Sequence, residues 1–299
     1  MLLICGTVPQ PNLPLTIGEA IFKEERLLIN GVEIPCTQGT AALVSAACVT
    51  AEYLKDNPPR VILVGDNGNG KGSRLLYDYL INNLPILSPN VLLLHYILPI
   101  MGLMKKVCRA AAKCKKKPVM IADASSMYAA KAAGLAPFFD IFTPDLCEMA
   151  FLADADAVHP AYISRHLFSA EILQAQELIA AAYRQKSAAK VLVVKGAIDH
   201  VVEEGKILCT ISEPDIPALE AIGGTGDTIS GMIGALVDAG LSHSDAAITA
   251  LKANRKAGEY ARVTPATKIR EIVTGLSEVF KRNLIMDTNK QYKKEGSYD

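Results

Sequence analysis

The chain has 299 residues, of which 50% are hydrophobic, and its 31 basic and 31 acidic side chains give a formal net charge of zero at pH 7. A chain of this length can bury the core of one large α/β domain. Because its charges balance, it has no overall field that would draw it to nucleic acid or to an anionic membrane, so we expect a small-molecule ligand.

No segment of the sequence has the features of a targeting signal or a membrane span. Residues 1–9 lack a basic start and a long apolar core, and the longest apolar stretch, Val91 to Met104, is interrupted by His95 and Pro99. The seven cysteines are scattered, without a Cys-x-x-Cys pair, which is typical of reduced thiols. We therefore expect a soluble, cytoplasmic protein.

Short β-branched runs alternate with longer helical patterns along the chain, which favours a mostly parallel sheet covered by helices. Residues 1–37 are expected to form an N-terminal hairpin region, since Asn30-Gly31 is a strong hairpin signal within Arg26–Pro35. One domain is expected to span residues 1–299, with residues 284–299 as a charged tail. The predicted strands are Arg60–Gly65, Val91–Tyr96, Pro118–Asp123, Asp140–Thr143 and Lys190–Lys195, with a second hairpin at His200–Thr210, and the predicted C-terminal helices are Gly231–Ala239, Ser244–Ala261 and Lys268–Arg282.

A glycine-rich turn at residues 65–73 follows the first of these strands. It nearly matches a phosphate-binding P-loop, but Gly72 separates Lys71 from Ser73, whereas the magnesium-binding hydroxyl of a P-loop follows its lysine directly. The turn is either a loop that binds the substrate or its pyrophosphate, or a glycine-rich surface turn. The side chains that would contact the substrate in the first case are Asp66, Asn67 and Lys71.

A second glycine-rich turn, at residues 223–227, joins three glycines and one acid to the start of an apolar helix. Glycines let the backbone approach an anion closely, and the free N–H groups of a helix start point at that anion. Asp227 is either a helix cap or a carboxylate that accepts a proton from a hydroxyl attacking a bound phosphate. The three glycines in front of it favour the second interpretation.

Gly223-Gly-Thr-Gly-Asp-Thr228 with its following helix resembles the signature of the ribokinase-like superfamily, and three other segments match in the order that superfamily requires. They are Ile121–Ser125, Phe142–Glu148 and Val193–Ala197. Within the superfamily the sequence is most similar to the NAD(P)H-hydrate dehydratases, and next to the hydroxyethylthiazole and hydroxymethylpyrimidine kinases. The resemblance covers roughly residues 38–283 and implies a three-layer α/β/α sandwich with a mostly parallel central sheet.

The resemblance also implies a role for each site residue, with ATP or ADP as phosphoryl donor and Mg²⁺ as cofactor. Two of these residues have alternative interpretations: Glu148 could be an acid at a helix start after Pro144, and Lys195 could form a buried salt bridge. The implied roles are Asp227 as catalytic base, Gly224, Thr225 and Gly226 as the anion hole, Gly223, Lys195 and Gly196 for the nucleotide, Asp123 and Asp145 for the substrate, and Glu148 for the metal.

Two departures from the dehydratase pattern lie where the substrate should bind. Leu93–Pro99 replaces a Gly-Pro-Gly-Leu-Gly element, and Asp145 replaces a histidine. The sequence therefore predicts an enzyme that activates a substrate hydroxyl by phosphoryl transfer, either a hydrate dehydratase or a small-molecule kinase. A non-catalytic adenylate-binding protein is the third interpretation, although such a protein would not need a base at Asp227. A homo-oligomer is compatible with the sequence.

Overall fold

The structure is a computed structural model, and it describes residues 1–157 and 172–282 of the chain. Within these residues eleven strands form one sheet in the order β11-β10-β9-β8-β7-β6-β1-β5-β2-β3-β4. The strands are β1 (Leu2–Val8), β2 (Thr16–Lys23), β3 (Arg26–Ile29), β4 (Val32–Pro35), β5 (Arg60–Gly65), β6 (Val91–His95), β7 (Val119–Asp123), β8 (Ile141–Phe142), β9 (Val191–Val194), β10 (Asp199–Glu203) and β11 (Lys206–Ile211).

Six neighbouring strands, from β5 through β1 and β6 to β9, pair in parallel. They are almost wholly buried, because helices cover both faces of the sheet and near-continuous apolar runs can then fill them. Antiparallel strands extend both edges: β2, β3 and β4 beyond β5, and β10 and β11 beyond β9. This arrangement confirms the predicted mostly parallel sheet.

Nine helices of the described chain lie in two layers, one on each face of the sheet. Helices α1, α7, α8 and α9 share one hydrophobic core with one face, and α2 to α6 share a second core with the other face. The helices are α1 (Thr40–Leu54), α2 (Lys71–Leu87), α3 (Met101–Ala111), α4 (Ser125–Ala132), α5 (Leu146–Ala153), α6 (Ile172–Arg184), α7 (Thr225–Asp238), α8 (His243–Ala261) and α9 (Ile269–Lys281). The fold is therefore the expected three-layer sandwich.

The N-terminal region differs from the prediction, which placed only a hairpin region at residues 1–37. The hairpin exists, with Asn30 and Gly31 at positive φ between β3 and β4, but β1 lies at the centre of the sheet between β5 and β6. Its seven residues are all buried, so a short apolar run at the chain start is a core strand. The predicted tail, residues 284–299, lies outside the described residues.

The start of α7 also differs from the predicted Gly231–Ala239. The helix begins at Thr225, so Gly226 and Asp227 lie in its first turn. Within residues 1–157 and 172–282, none of the helices has the length and hydropathy that a membrane span needs.

Candidate active site

The carboxyl ends of the central parallel strands and the starts of α1 and α7 meet at one edge of the sheet. Asp227, in the first turn of α7, lies where they converge, and its side chain is 13% exposed. Its Oδ2 accepts a hydrogen bond of 2.7 Å from the amide of Gly39 at the start of α1. Its Oδ1 lies 3.1 Å from Nε2 of His95 at the end of β6. The two helix starts and β6 therefore fix both carboxylate oxygens.

These contacts determine the ionisation of Asp227. Burial acts to raise the pKa of Asp227, but the hydrogen bond and charge of His95, the charge of Lys195 and the amide of Gly39 outweigh it. The resulting pKa lies below the usual value for an aspartate. At neutral pH the side chain is thus a carboxylate that can accept a proton.

The backbone at the start of α7 has the features of an anion site. No side chain caps this helix, and its first N–H groups have no carbonyl partner within the helix. Gly224 has a φ of 105°, which favours glycine, and a Cβ there would lie 2.9 Å from Cγ1 of Ile269. A Cβ on Gly223 would lie 2.2 Å from Oε1 of Gln38. The helix dipole adds to the attraction that these amides exert on an anion.

Lys195 follows β9 and lies beside this helix start. Its Nζ pairs with Oδ1 of Asp123 at 3.1 Å, and a Cβ on Gly226 would lie 3.3 Å from the same Nζ. Burial acts to lower the pKa of Lys195, but Asp123, Glu148 and Asp227 outweigh it and raise the pKa above its usual value. Lys195 is therefore a cation in a buried salt bridge, as one interpretation of the sequence expected, and it also lines the cavity in front of α7.

Asp145 and Glu148 form a capping box at the start of α5. The Glu148 amide donates to Asp145 Oδ1 at 2.7 Å, the Asp145 amide donates to Glu148 Oε2 at 2.9 Å, and the Tyr128 hydroxyl donates to Glu148 Oε1 at 3.0 Å. The helix-start role considered for Glu148 is thus present.

Charge at the same place favours a cation. Burial raises the pKa of Glu148 to about 8, Lys195 acts to lower it, and Asp145 and Asp123 add to the rise. A divalent cation would relieve this excess of negative charge, and oxygen ligands are those that Mg²⁺ prefers. The residues present therefore fit a magnesium ion held near Glu148.

The glycine-rich turn at residues 65–73 holds an anion of its own. Asp66 accepts hydrogen bonds from the amides of Gly68, Gly70 and Ser73 and from the Ser73 hydroxyl, at 2.8 to 3.0 Å. Burial acts to raise the pKa of Asp66, but these bonds outweigh it and the pKa is lowered. The Asp66 carboxylate thus occupies the amides that a P-loop would offer to phosphate. Asn67 and Lys71 are exposed and line neither of the cavities described below.

Asp227 lines two cavities. They are named for the roles that we propose for them under Proposed function: the first, of 540 Å³, is the acceptor cavity, and the second, of 630 Å³, is the donor cavity. Tyr96, Gly224 and Asp227 line both. The acceptor cavity is also lined by Thr7, Gln38, Gly39, Thr40, Asp66, Ser73 and Gly223, and the donor cavity by Asp123, Asp145, Glu148, Lys195, Gly196, Thr225, Gly226 and Arg255. Gly223, which was expected to contact the nucleotide, thus lines the acceptor cavity and not the donor cavity.

Sequence reasoning missed three contributors to this site. His95 and Gly39 contact Asp227 directly, and Arg255 of α8 holds the wall of the donor cavity by bonding Asp199 and the carbonyls of Gly196 and Ala197. The only sequence signal for His95 was its position as a polar residue at the end of an apolar strand. Gly39 contributes a backbone amide, and Arg255 bonds to partners that are distant in the chain. Neither kind of contact has a motif in a single sequence.

Comparisons with known proteins show which family the sequence matches. Residues 101–275 match the family model of NAD(P)H-hydrate dehydratase. A protein of Methanocaldococcus jannaschii, described as uncharacterized, is 36% identical over 242 residues, which span 81% of this chain and 100% of that protein.

Solved structures of the ribokinase-like superfamily share the fold. The pyridoxal kinase of Staphylococcus aureus in complex with AMP-PCP and pyridoxal superposes with a TM-score of 0.53 at 12% identity, over 86% of this chain and 88% of that one. The phosphofructokinase-2 of Escherichia coli in complex with potassium gives 0.55 at 14% identity, over 94% and 100%. Because the family model matches more than half of the sequence, the chain belongs to the NAD(P)H-hydrate dehydratase family of carbohydrate kinase-related proteins, with a ribokinase-like fold.

Proposed function

We propose that this protein transfers the terminal phosphoryl group of ATP or ADP to a substrate hydroxyl, with Asp227 as the base. The observation that carries the proposal is that an ionised carboxylate, Asp227, lies at a helix start that no side chain caps and lines both cavities, together with Tyr96 and Gly224. Phosphoryl transfer suits this arrangement, because the acceptor hydroxyl must lie beside the base and attack the phosphorus in line with the leaving nucleotide.

In this mechanism the nucleotide occupies the donor cavity, and the start of α7 and Lys195 bind its phosphates. Glu148 would hold Mg²⁺, and Asp145 would keep Glu148 in place through their shared capping box. When bound, the ion offsets charge on the phosphates. The substrate hydroxyl lies in the acceptor cavity beside Asp227. Asp227 takes the hydroxyl proton while the new O–P bond forms and the bond to the leaving nucleotide breaks. The amides of residues 224–227 stabilise the charge that the transferring group carries.

The family favours hydrate dehydration as the outcome of this transfer. After phosphorylation of the NAD(P)H hydrate, phosphate would leave with the bonding electrons of its C–O bond, aided by the lone pair of the ring nitrogen. The neighbouring ring carbon would then lose a proton to solvent, which forms the C=C bond and restores NAD(P)H. Residues 101–275, which match the dehydratase family, carry most of the donor cavity and Asp227. The phosphoryl-transfer half of the site is therefore the half that the family supports.

A small-molecule kinase is the second candidate, and the acceptor cavity favours it. Thr7, Gln38, Ser73 and Tyr96 all precede residue 101, so most of this cavity lies outside the segment that matches the dehydratase family. The amides of the turn at residues 65–73, which could receive the pyrophosphate of a dinucleotide, are filled by Asp66. A kinase would release the phosphorylated alcohol without the elimination step.

One experiment separates these outcomes. The protein is incubated with ATP or ADP, Mg²⁺ and NADH hydrate, and recovery of NADH is followed by its absorbance. In parallel, nucleotide turnover is measured with a panel of small alcohols that includes vitamin precursors and sugars. Recovery of NADH supports the dehydratase, and a phosphorylated alcohol supports the kinase. Adenylate binding without turnover on any compound would contradict the proposal and support a non-catalytic adenylate-binding protein.

A further inference from the structure

The side chain of His95 is wholly buried, and both of its ring nitrogens have oxygen partners. Nδ1 lies 2.9 Å from Oγ1 of Thr40, the first residue of α1, and Nε2 lies 3.1 Å from Oδ1 of Asp227. Protein contacts alone therefore determine which nitrogen carries a proton.

The Thr40 hydroxyl fixes the proton on Nδ1. Its oxygen lies 2.6 Å from the backbone carbonyl of Thr7, a distance that requires the hydroxyl hydrogen between the two oxygens. A hydroxyl has one hydrogen, so Thr40 can only accept at its contact with His95. Nδ1 must therefore be the donor.

The Asp227 contact then requires a second proton. If Nδ1 alone were protonated, the lone pair of Nε2 would face a carboxylate oxygen at 3.1 Å, which is a repulsive contact in a buried site. A proton on Nε2 turns this contact into a charge-assisted hydrogen bond. With both nitrogens donating, His95 is an imidazolium cation.

The charged groups around His95 agree with this state. Asp227 of α7 faces Nε2, and Oδ2 of Asp123 on β7 lies 3.9 Å from the same atom. Lys195 lies beyond Asp123, and the ring of Tyr96 packs edge-on against the imidazole without bringing another charge. The described side chains form an alternating row of Lys195, Asp123, His95 and Asp227, in which each anion lies next to a cation.

A metal ion is the other cation that could join these groups, since ligand atoms of His95, Asp123 and Asp227 lie within 4.8 Å of one another. Lys195 already pairs with Asp123 at 3.1 Å, and an ammonium beside a divalent cation would be repelled. A proton needs no rearrangement of this pair, so the geometry favours it.

We propose that His95, held by Thr40 and Thr7 as an imidazolium, is the positioning residue that keeps Asp227 ionised and aimed at the substrate hydroxyl. Its part in turnover rests on the proposed function, whereas its protonation does not. Without His95, Asp227, which is buried near Asp123, would gain a proton more readily. Only the Gly39 amide would then hold the Asp227 carboxylate in place.

The first test is nitrogen NMR of the full chain with ¹⁵N-labelled histidine, at pH 7 and without nucleotide. His95→Gln identifies the His95 signals among the five histidines. We expect both His95 nitrogens to be protonated in the wild type, and Nε2 to lose its proton in Asp227→Asn while Nδ1 keeps its own. A neutral His95 ring in the wild type, or a stoichiometric bound metal found by elemental analysis, would overturn the proposal whether or not the enzyme reaction is found.

The second test is the pH profile of nucleotide turnover, scored as ADP release from ATP and Mg²⁺ with the acceptor that gives turnover in the panel, or with water. His95→Gln keeps a donor near Asp227 but removes the charge, and Thr40→Val removes the hydroxyl with little change in shape. In both variants the acidic limb should move to higher pH, because His95 lowers the pKa of Asp227 and activity needs the carboxylate. We expect kcat about 10- to 100-fold lower, with the nucleotide KM nearly unchanged.

Two matched variants serve as controls. Thr40→Ser keeps the hydroxyl and should keep the wild-type acidic limb, and His243→Gln removes a histidine at the start of α8, away from this site. Thermal unfolding confirms that each variant folds. An acidic limb that stays in place in folded His95→Gln and Thr40→Val would overturn the positioning role, even if the nitrogen NMR shows the imidazolium.

Discussion

At the residue scale, opposite charges alternate across the site and each has a defined neighbour. Asp227 is bound by the Gly39 amide and by His95, while Asp123 is bound by Lys195 and by the hydroxyl of Ser230 at 2.5 Å. Burial alone would raise the pKa of Asp227, but the donors that contact it outweigh burial and lower that pKa. Asp227 is thereby left as the carboxylate that faces both cavities.

Asp227→Asn should therefore lower turnover by about two to four orders of magnitude and leave nucleotide affinity nearly unchanged. The amide keeps the shape and the bond from Gly39 but cannot take the proton. Single-turnover rates measure the chemical step, and calorimetric titration measures the affinity. Wild-type turnover in this variant, under conditions where chemistry limits the rate, would show that Asp227 is a helix cap only.

The two lysines in glycine-rich segments should respond differently. Lys195→Ala should lower the affinity for ATP by about 10- to 150-fold, because a charge-assisted contact contributes about 1.5–3 kcal/mol to binding. Lys71→Ala is its control, since Lys71 is exposed and Asp66 fills the adjacent amides, and it should leave ATP affinity unchanged. Because Lys195→Ala also leaves Asp123 unpaired, the unfolding temperature of both variants is measured. Loss of ATP binding in Lys71→Ala alone would move the nucleotide to the turn at residues 65–73.

At the element scale, the starts of α1 and α7 form the site together, since Gly39 precedes one helix and Asp227 lies in the first turn of the other. Both starts contain glycine at positive φ, Gly39 and Gly224, and neither is capped by a side chain. Uncapped amides at two converging helix starts are suited to bind anions and to fix a carboxylate.

Gly226→Val should weaken nucleotide binding and turnover together while the protein still folds. A Cβ added at this position would lie 3.3 Å from Lys195 Nζ, and a branched side chain would crowd the phosphates. Gly102→Val on α3 is the matched control, because a Cβ there meets no atom within 4 Å. If nucleotide titration and activity of Gly226→Val equal those of the control, the start of α7 does not bind phosphate.

Arg255 joins α8 to the loops around the donor cavity. Its Nε donates to Asp199 Oδ2 at 2.8 Å, and its two NH₂ groups donate to the carbonyls of Ser212, Pro214, Gly196 and Ala197. All of its N–H donors are therefore used within the described chain, and removing the side chain leaves a buried carboxylate unpaired.

Arg255→Met should lower the free energy of unfolding by about 3–5 kcal/mol. The double variant Arg255→Met with Asp199→Asn should recover part of this loss, because it no longer buries an unpaired charge. Urea denaturation monitored by circular dichroism measures both. Equal stabilities of Arg255→Met and the wild type would show that the Asp199 pair does not stabilise the fold.

The sequence was sufficient to predict the elements with strong local signals. The bounds of β5 agree with the predicted strand, and the Asn30-Gly31 turn occurs as expected, because apolar runs and hairpin dipeptides act locally. The central position of β1 depends on pairing with strands about 55 and 90 residues away, which no local pattern of Leu2–Val8 encodes.

At the scale of the whole molecule, the strand order determines the site. Placing β1 between β5 and β6 brings the N-terminal part of the chain, with Thr7, Gly39 and Thr40, against the segment that matches the dehydratase family. Residues that line the donor cavity could be named from sequence because their motifs, such as residues 224–227, are contiguous. The acceptor side and His95 could not, since their contacts join residues 55 to 188 positions apart in the chain.

The position of the nucleotide tests the proposed phosphoryl transfer most directly. We would determine the crystal structure of Asp227→Asn with AMP-PCP and Mg²⁺, because this variant should bind the nucleotide without turnover. We expect the nucleotide in the donor cavity, with its terminal phosphate on the amides of residues 224–227, Lys195 in contact with the phosphates and the metal near Glu148. Phosphates on the turn at residues 65–73, or a nucleotide in the acceptor cavity, would contradict the proposed site.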